Sequence, residues 1–97
     1  MAKGYWIGRI TVHDPERYKD YVATATPAYR EFGARFLVRG GKSEAVEGEG
    51  RPRNVVIEFD SFEQALACYN SDTYTAARSI RQEAADGELI VVQGHEA

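Results

Sequence analysis

The chain has one cysteine, Cys68, in 97 residues. No internal disulfide can form, and a reducing, cytoplasmic setting fits best. Histidine is also scarce, with only His13 and His95. No His, Cys or carboxylate grouping has ligand spacing, so no metal is expected. No cofactor loop is present either, because Gly40-Gly41 lacks the spacing of a dinucleotide or Walker motif. Basic charge is not in excess: 12 Lys and Arg stand against 15 Asp and Glu, a net charge of -3. Neither nucleic acid nor an anionic membrane is therefore expected as a partner. No apolar stretch approaches the roughly 18 residues needed to span a bilayer. Met1-Ala2-Lys3-Gly4 leads straight into a strand-like run, without the character of a signal peptide.

Aromatics are present in quantity: six Tyr, four Phe and one Trp, in a chain that is 43% hydrophobic. That is enough apolar surface for one domain, expected over residues 1–97, and not for a disordered tail. A core together with a deep cavity strains a chain this short, because small domains bury proportionally less surface.

Alternation in Tyr5 to Val12 predicts a strand. His13-Asp14-Pro15-Glu16 reads as a helix start, with Asp14 as cap and Pro15 in the first position. Tyr18, Tyr21, Val22, Ala25, Tyr29 and Phe32 give that helix an apolar face. Pro27 predicts a kink, and Gly33 a C-terminal stop. Ala34 to Arg39 is a second strand, followed by a Gly40-Gly41 turn or bend and a polar loop or arm over 40–52. Arg53 to Asp60 is a third strand. Ser61 and Gln64 match a capping box before a short helix through Tyr69. Asn70-Ser71-Asp72 interrupts it, and a further helix is expected from Thr73 to Ala85. Asp86-Gly87 is expected to stop that helix, with a last strand from Glu88 to Gln93. The β-α-β-β-α-β order predicts an α+β, ferredoxin-like sandwich, an antiparallel sheet with helices on one face.

Sorting the strands by alternation assigns Trp6, Ile10, Val12, Phe36, Val38, Val55, Ile57, Phe59, Ile90 and Val92 to the helix-covered face. The other face collects Tyr5, Ile7, Arg9, Leu37, Arg39, Val56, Glu58, Leu89 and Val91. That second face is too apolar for open water, which predicts a two-fold homodimer through it. Arg9, Arg39 and Glu58 would then pair, most simply with one another. Tyr5 is the only aromatic there, which does not make the stacking pair of a nucleic-acid-binding sheet.

The candidate chemistry is sparse. His13, beside the helix start, is the one candidate acid or base, against the alternative of an exposed residue leading into the cap. Cys68, next to the buried stripe of the short helix, reads as a core thiol, against the alternative of a nucleophile for which the sequence places no base nearby. Tyr18, Tyr21, Tyr69 and Tyr74 are directed at the sheet and either line a pocket for an aromatic or carbonyl-bearing ligand or sit in the core. Tyr74, Arg78 and Arg81 share one stripe of the last helix. The arginines suit a carboxylate, supplied by a ligand or by Glu58, Glu63 or Asp14.

Taken together, Gly4-Tyr5-Trp6-Ile7, His13-Asp14-Pro15-Glu16, Arg39-Gly40-Gly41 and Tyr69-x-Ser71-x-x-Tyr74-x-x-x-Arg78-x-x-Arg81 resemble the domain-of-unknown-function family 1330. This family lies in the dimeric α/β barrel superfamily. The resemblance covers about residues 3 to 94 and implies a ferredoxin-like protomer whose sheet faces a second copy. It implies no reaction. Looser relatives in the superfamily include cofactor-free oxygenases, isomerases and cyclases, and no motif of theirs matches here. Three readings follow: a homodimer with a small-molecule cleft between helices and sheet, a non-catalytic dimeric module, or a cofactor-independent enzyme by fold analogy.

Overall fold

In the computed structural model, which describes residues 2–96, Trp6, Gly8 and Ile10 turn to one side of the first strand and Tyr5, Ile7 and Arg9 to the other. The elements are β1 (Gly4–Val12), α1 (Pro15–Glu31), β2 (Arg35–Arg39), β3 (Arg53–Phe59), α2 (Phe62–Asn70), α3 (Asp72–Ala84) and β4 (Ala85–Gln93). The strands form one sheet in the order β2-β3-β1-β4, antiparallel at every pairing. This is the expected α+β ferredoxin-like arrangement, with its second helical unit split in two. The Cα extents of 37 × 35 × 16 Å fit one sheet and one helical layer. The far side of the sheet therefore has no layer of its own.

Local chemistry sets the element ends. The Asp14 carboxylate accepts from Arg17 N at 3.1 Å, and Pro15 opens α1. The helix continues through Pro27. Gly33 follows its C-cap with φ 67, which a side chain would oppose. Ser61 Oγ accepts from Gln64 N at 3.1 Å, but the returning half of a capping box is not made. Instead Gln64 Nε2 donates to Phe32 O, tying the start of α2 to the end of α1. Ser71 serves two helices at once: its hydroxyl donates to Cys68 O at 2.7 Å and accepts from Tyr74 N at 3.2 Å.

Trp6 is the centre of the core. It is 1% exposed, its indole N–H donates to Ala65 O at 2.8 Å, and its ring meets Tyr74 edge-on at 4.7 Å between centroids. Tyr29, Phe59 and Tyr69 complete its surroundings.

Two strand faces differ from the alternation reading. In β2, Phe36 lies opposite Ile57, but Val38 lies opposite Val56 and Arg39 opposite Val55. Leu37 is the extra residue of a bulge, 56% exposed. Beyond it the faces exchange, so Arg39 turns to the helical side and Val38 to the bare side. In β4, Trp6 lies opposite Val91 and Gly8 opposite Leu89, which puts Leu89 and Val91 in the core. Ile90 and Val92 are on the bare face instead. Leu89-Ile90-Val91-Val92 is apolar throughout and fits either face, so its own pattern carries no register. The strand also starts earlier than Glu88. Ala85 is already extended, and Asp86-Gly87 lies inside β4.

The charged residues of the bare face do not pair as expected. Glu58 accepts from Arg35 at 2.9 Å and from the Tyr5 hydroxyl at 3.1 Å, and Arg9 faces Glu88 at 3.7 Å. Arg39 is absent from this set.

Because one hydroxyl caps both α2 and α3, Ser71→Ala is expected to lower stability by about 1–2 kcal/mol. Urea denaturation followed by circular dichroism measures it. A change within error would show that neither cap matters.

Candidate functional site

Gly8 leaves a gap in the middle of the helix-covered face, and around that gap the sheet and helices do not close. A cleft remains between the sheet, α1 and α3. Trp6, Ile10, Val55, Ile57 and Leu89 make its floor around Gly8, with Phe36 to one side. Tyr18, Tyr21, Tyr29 and Tyr74 reach down from the helices. Counted out to its open mouth the space is about 510 Å³, whereas the part in which a water-sized sphere can move is about 40 Å³. The larger figure includes open solvent, so the cleft is a narrow slot and not a wide cavity. A Cβ placed on Gly8 would meet Leu89 Cδ1 at 3.4 Å, an ordinary contact. The gap is therefore not forced by crowding of the backbone.

The tyrosines form a hydroxyl chain. Tyr21 OH lies 3.0 Å from Tyr29 OH and 2.8 Å from Tyr74 OH. Two hydrogen bonds among three hydroxyls use two of their three protons, and one proton remains to be donated elsewhere. Burial pushes all three phenols above their ordinary pKa of 10.0, with their mutual proximity adding to it. They stay protonated at neutral pH and act as hydrogen-bond donors and acceptors, not as bases.

Three arginines, Arg39, Arg53 and Arg81, reach the same cleft, and no Asp or Glu among the described residues lines it. Arg39 lies over the Phe36 ring at 3.9 Å. Arg53 Nε donates to Tyr18 OH at 3.2 Å, and its guanidinium packs against Gly40, where a Cβ would collide with it. Arg81 comes from α3, is 9% exposed, and its Nε is buried without a hydrogen-bond partner among the described residues. Burial opposes the Arg81 charge, and the phenol oxygens of Tyr74 and Tyr21 more than offset that, so it remains a cation.

The expected site residues separate into those around the cleft and those elsewhere. Tyr18, Tyr21, Tyr74 and Arg81 line it. Tyr69 and Arg78 do not: the Arg78 guanidinium stacks on the Tyr69 ring at 4.7 Å, outside it. The opening therefore lies on the other flank of Tyr74, not between Tyr69, Tyr74 and Arg78. His13 is on the surface, 4.0 Å from Asp86, and takes no part in the cleft. None of Glu58, Glu63 or Asp14 supplies a carboxylate to Arg78 or Arg81. Asp14 caps α1 and Glu58 holds Arg35. Sequence reasoning missed Arg39, Arg53, Tyr29 and Gly8. Gly8 carried a signal, a lone glycine amid β-branched and aromatic strand residues, which often marks a close approach.

A profile of the family described as "Domain of unknown function (DUF1330)" matches residues 3–95. The chain belongs to this family. The matched range contains every residue that lines the cleft. A protein of unknown function from Rhodopseudomonas palustris has a similar solved structure, with a TM-score of 0.79 at 17% identity over 99% of this chain and 85% of that one. SnoaB, a cofactor-independent oxygenase from Streptomyces nogalater, gives 0.65 at 10% identity over 100% of this chain and 97% of that one. A dimeric ferredoxin-like protein of unknown function from Thermobifida fusca gives 0.62 at 14% identity over 98% and 92%. At these identities the likeness is one of fold. Comparison with curated proteins finds no match.

The raised phenols link folding to alkaline pH. Above about pH 10 the unfolded chain releases protons that native Tyr21, Tyr29 and Tyr74 retain, so stability is full below that point and falls as pH rises beyond it. Tyrosinate absorbance should therefore show a group containing Tyr21, Tyr29 and Tyr74 that ionises only as the fold is lost. Tyr74→Phe should reduce that late group by one. Six phenols titrating together in folded protein would contradict the buried chain. Burial also pushes the Cys68 thiol up to about 12. Native protein at pH 8 should accordingly leave Ellman's reagent unreacted until denaturant is added, and rapid native labelling would be inconsistent with this core.

Proposed function

We propose that the protein is a cytoplasmic homodimer that binds a small aromatic or carboxylate-bearing molecule in the cleft between α1, α3 and the sheet. One observation carries the reading: three guanidiniums and a chain of phenols converge on an aromatic slot that no carboxylate of the described residues lines. Structural arginines are normally paired when their surroundings exclude water. Here aromatic walls supply contact area, and guanidiniums held only by phenols and an aromatic ring can fix orientation. The lining offers no group suited to taking a proton at neutral pH, which favours binding over general-base catalysis.

The dimer is supported by the bare face of the sheet. Ile7, Val38, Val56, Ile90 and Val92 lie there together, with Ile90 54% and Val38 41% exposed in a single chain. A contiguous apolar patch of this kind marks an interface, and a second copy can cover it by a two-fold axis. The dimeric Thermobifida fusca neighbour shares the fold.

Thermal-shift measurements with salicylate and benzoate test the cleft. Both should raise the Tm of the wild type. Gly8→Val, which fills the floor, should abolish the response, and Gly8→Ala should weaken it while stabilising the fold by about 0.5–1 kcal/mol. Equal responses in wild type and Gly8→Val would sink the reading. For the dimer, sedimentation should give twice the 10.8 kDa of the chain. Ile90→Glu should give monomers, and a monomeric wild type at micromolar concentration would overturn the interface.

A further inference from the structure

We propose that Arg81 makes the cleft selective for a planar aromatic oxyanion over the neutral molecule of the same shape, the oxygen accepting from Arg81 Nε and from the spare hydroxyl proton of the tyrosine chain. The inference rests on the ligand-binding reading and adds a charge requirement to it.

Four observations converge on it. Arg81 is nine-tenths buried and lines the cleft, its side chain is hydrogen-bonded to the Tyr74 phenol, and its Nε is out of reach of solvent and has no partner among the described residues. A strut that served only packing would have that donor satisfied, because an unmet buried donor of a charged group is costly. The hydroxyl chain beside it has one proton more than its own bonds consume. The polar side chains of the lining are phenols and guanidiniums, so the donors outnumber what the cleft can itself accept. An incoming atom that only accepts, and carries negative charge, answers all of these at once. The slot's narrowness and aromatic walls require the rest of the molecule to be flat.

The neighbours of Arg81 do not provide that charge themselves. Tyr74, Tyr21 and Tyr69 face it, and all are phenols. Arg81 also borders a second, polar pocket with Tyr69, Gln82 and Asp86, but no ion pair joins it to Asp86, whose carboxylate lies 4.0 Å from His13. Arg78, one turn earlier, is stacked on Tyr69 and serves as the internal control.

The probe is p-nitrophenol, one ring in a neutral and a charged form of different colour, with p-nitroanisole as a partner of similar shape that cannot ionise. When the phenol binds as its anion, the O–H bond breaks and the proton goes to water. The ionisation midpoint of the dye bound to the intact protein should fall by about one pH unit or more, a roughly tenfold preference for the anion. p-Nitroanisole should bind correspondingly more weakly. Arg81→Met should erase the shift and also raise the Tm, because an unpaired buried charge is replaced by an apolar chain of similar length. Arg81→Lys, which keeps the charge and lacks the Nε donor, should retain only part of the shift. Arg78→Met should leave it unchanged.

Tight p-nitroanisole binding with no midpoint shift would overturn the inference and leave the ligand-binding reading intact. So would a full shift in Arg81→Met or in Arg81→Lys. Failure of Arg81→Met to fold would count against it too, by making Arg81 a structural strut. If neither probe binds and Gly8→Val behaves as wild type with salicylate and benzoate, both readings fall together.

Discussion

The three hydroxyls of Tyr29, Tyr21 and Tyr74, joined by two hydrogen bonds, are the constraint on which the rest of the structure depends. They cross from α1 to α3 and so hold the two longer helices at one separation above the sheet. Short hydroxyl contacts set a fixed spacing that apolar side chains would not, because each oxygen must stay within bonding reach of the next. The same atoms give the cleft its donor character. One device thus sets both the width of the slot and the polarity of its roof, and Trp6 beneath Tyr74 keeps that roof from sinking.

Charge placement elsewhere makes the cleft arginines informative. The chain carries more acidic than basic residues, 15 against 12, so carboxylates are not in short supply. Arg17, Arg35 and Arg51 all find them, in exposed or half-buried pairs at about 2.9–3.0 Å. Such surface pairs contribute little to stability. Arg81 sits where a carboxylate would matter far more and has none. The imbalance is therefore one of position, and it runs opposite to what stability alone would select.

Much of the fold was legible in the sequence because its signals are local. Asp14-Pro15, Ser61 and Gly33 act within one turn of where they stand, and the alternation of β1 and β3 survives intact. What was not legible depends on pairing across the sheet. A bulge at Leu37 cannot be read from ARFLVR, since the strand alternates acceptably either way, and it alone moves Arg39 from the bare face to the cleft. The four apolar residues of β4 take their register from β1, through Trp6 opposite Val91. Half of the cleft followed from helical spacing, which placed Tyr18, Tyr21, Tyr74 and Arg81 facing the sheet. The other half, Arg39, Arg53 and Gly8, comes from strands whose faces only the assembled sheet decides. The separation of Arg78 from Arg81 was hidden for a related reason. A stripe stepping by three and four spans a broad arc of helix, and Tyr69 of α2 captures one edge of it.

The bulge also joins the two features that remain to be explained by function. Val38 and Arg39 are consecutive, yet one lies on the bare face and the other in the cleft. Their strand is short and stands at the sheet edge, with only β3 beside it. An edge strand of this kind is held by few contacts of its own, so whatever packs on Val38 also steadies Arg39. A chain of 97 residues has little material for a core and a cavity together. This one makes its cavity by omission, leaving out a side chain at Gly8 and a counter-charge at Arg81. Both omissions cost stability in the isolated chain, and both are placed where an occupant of the cleft would restore it.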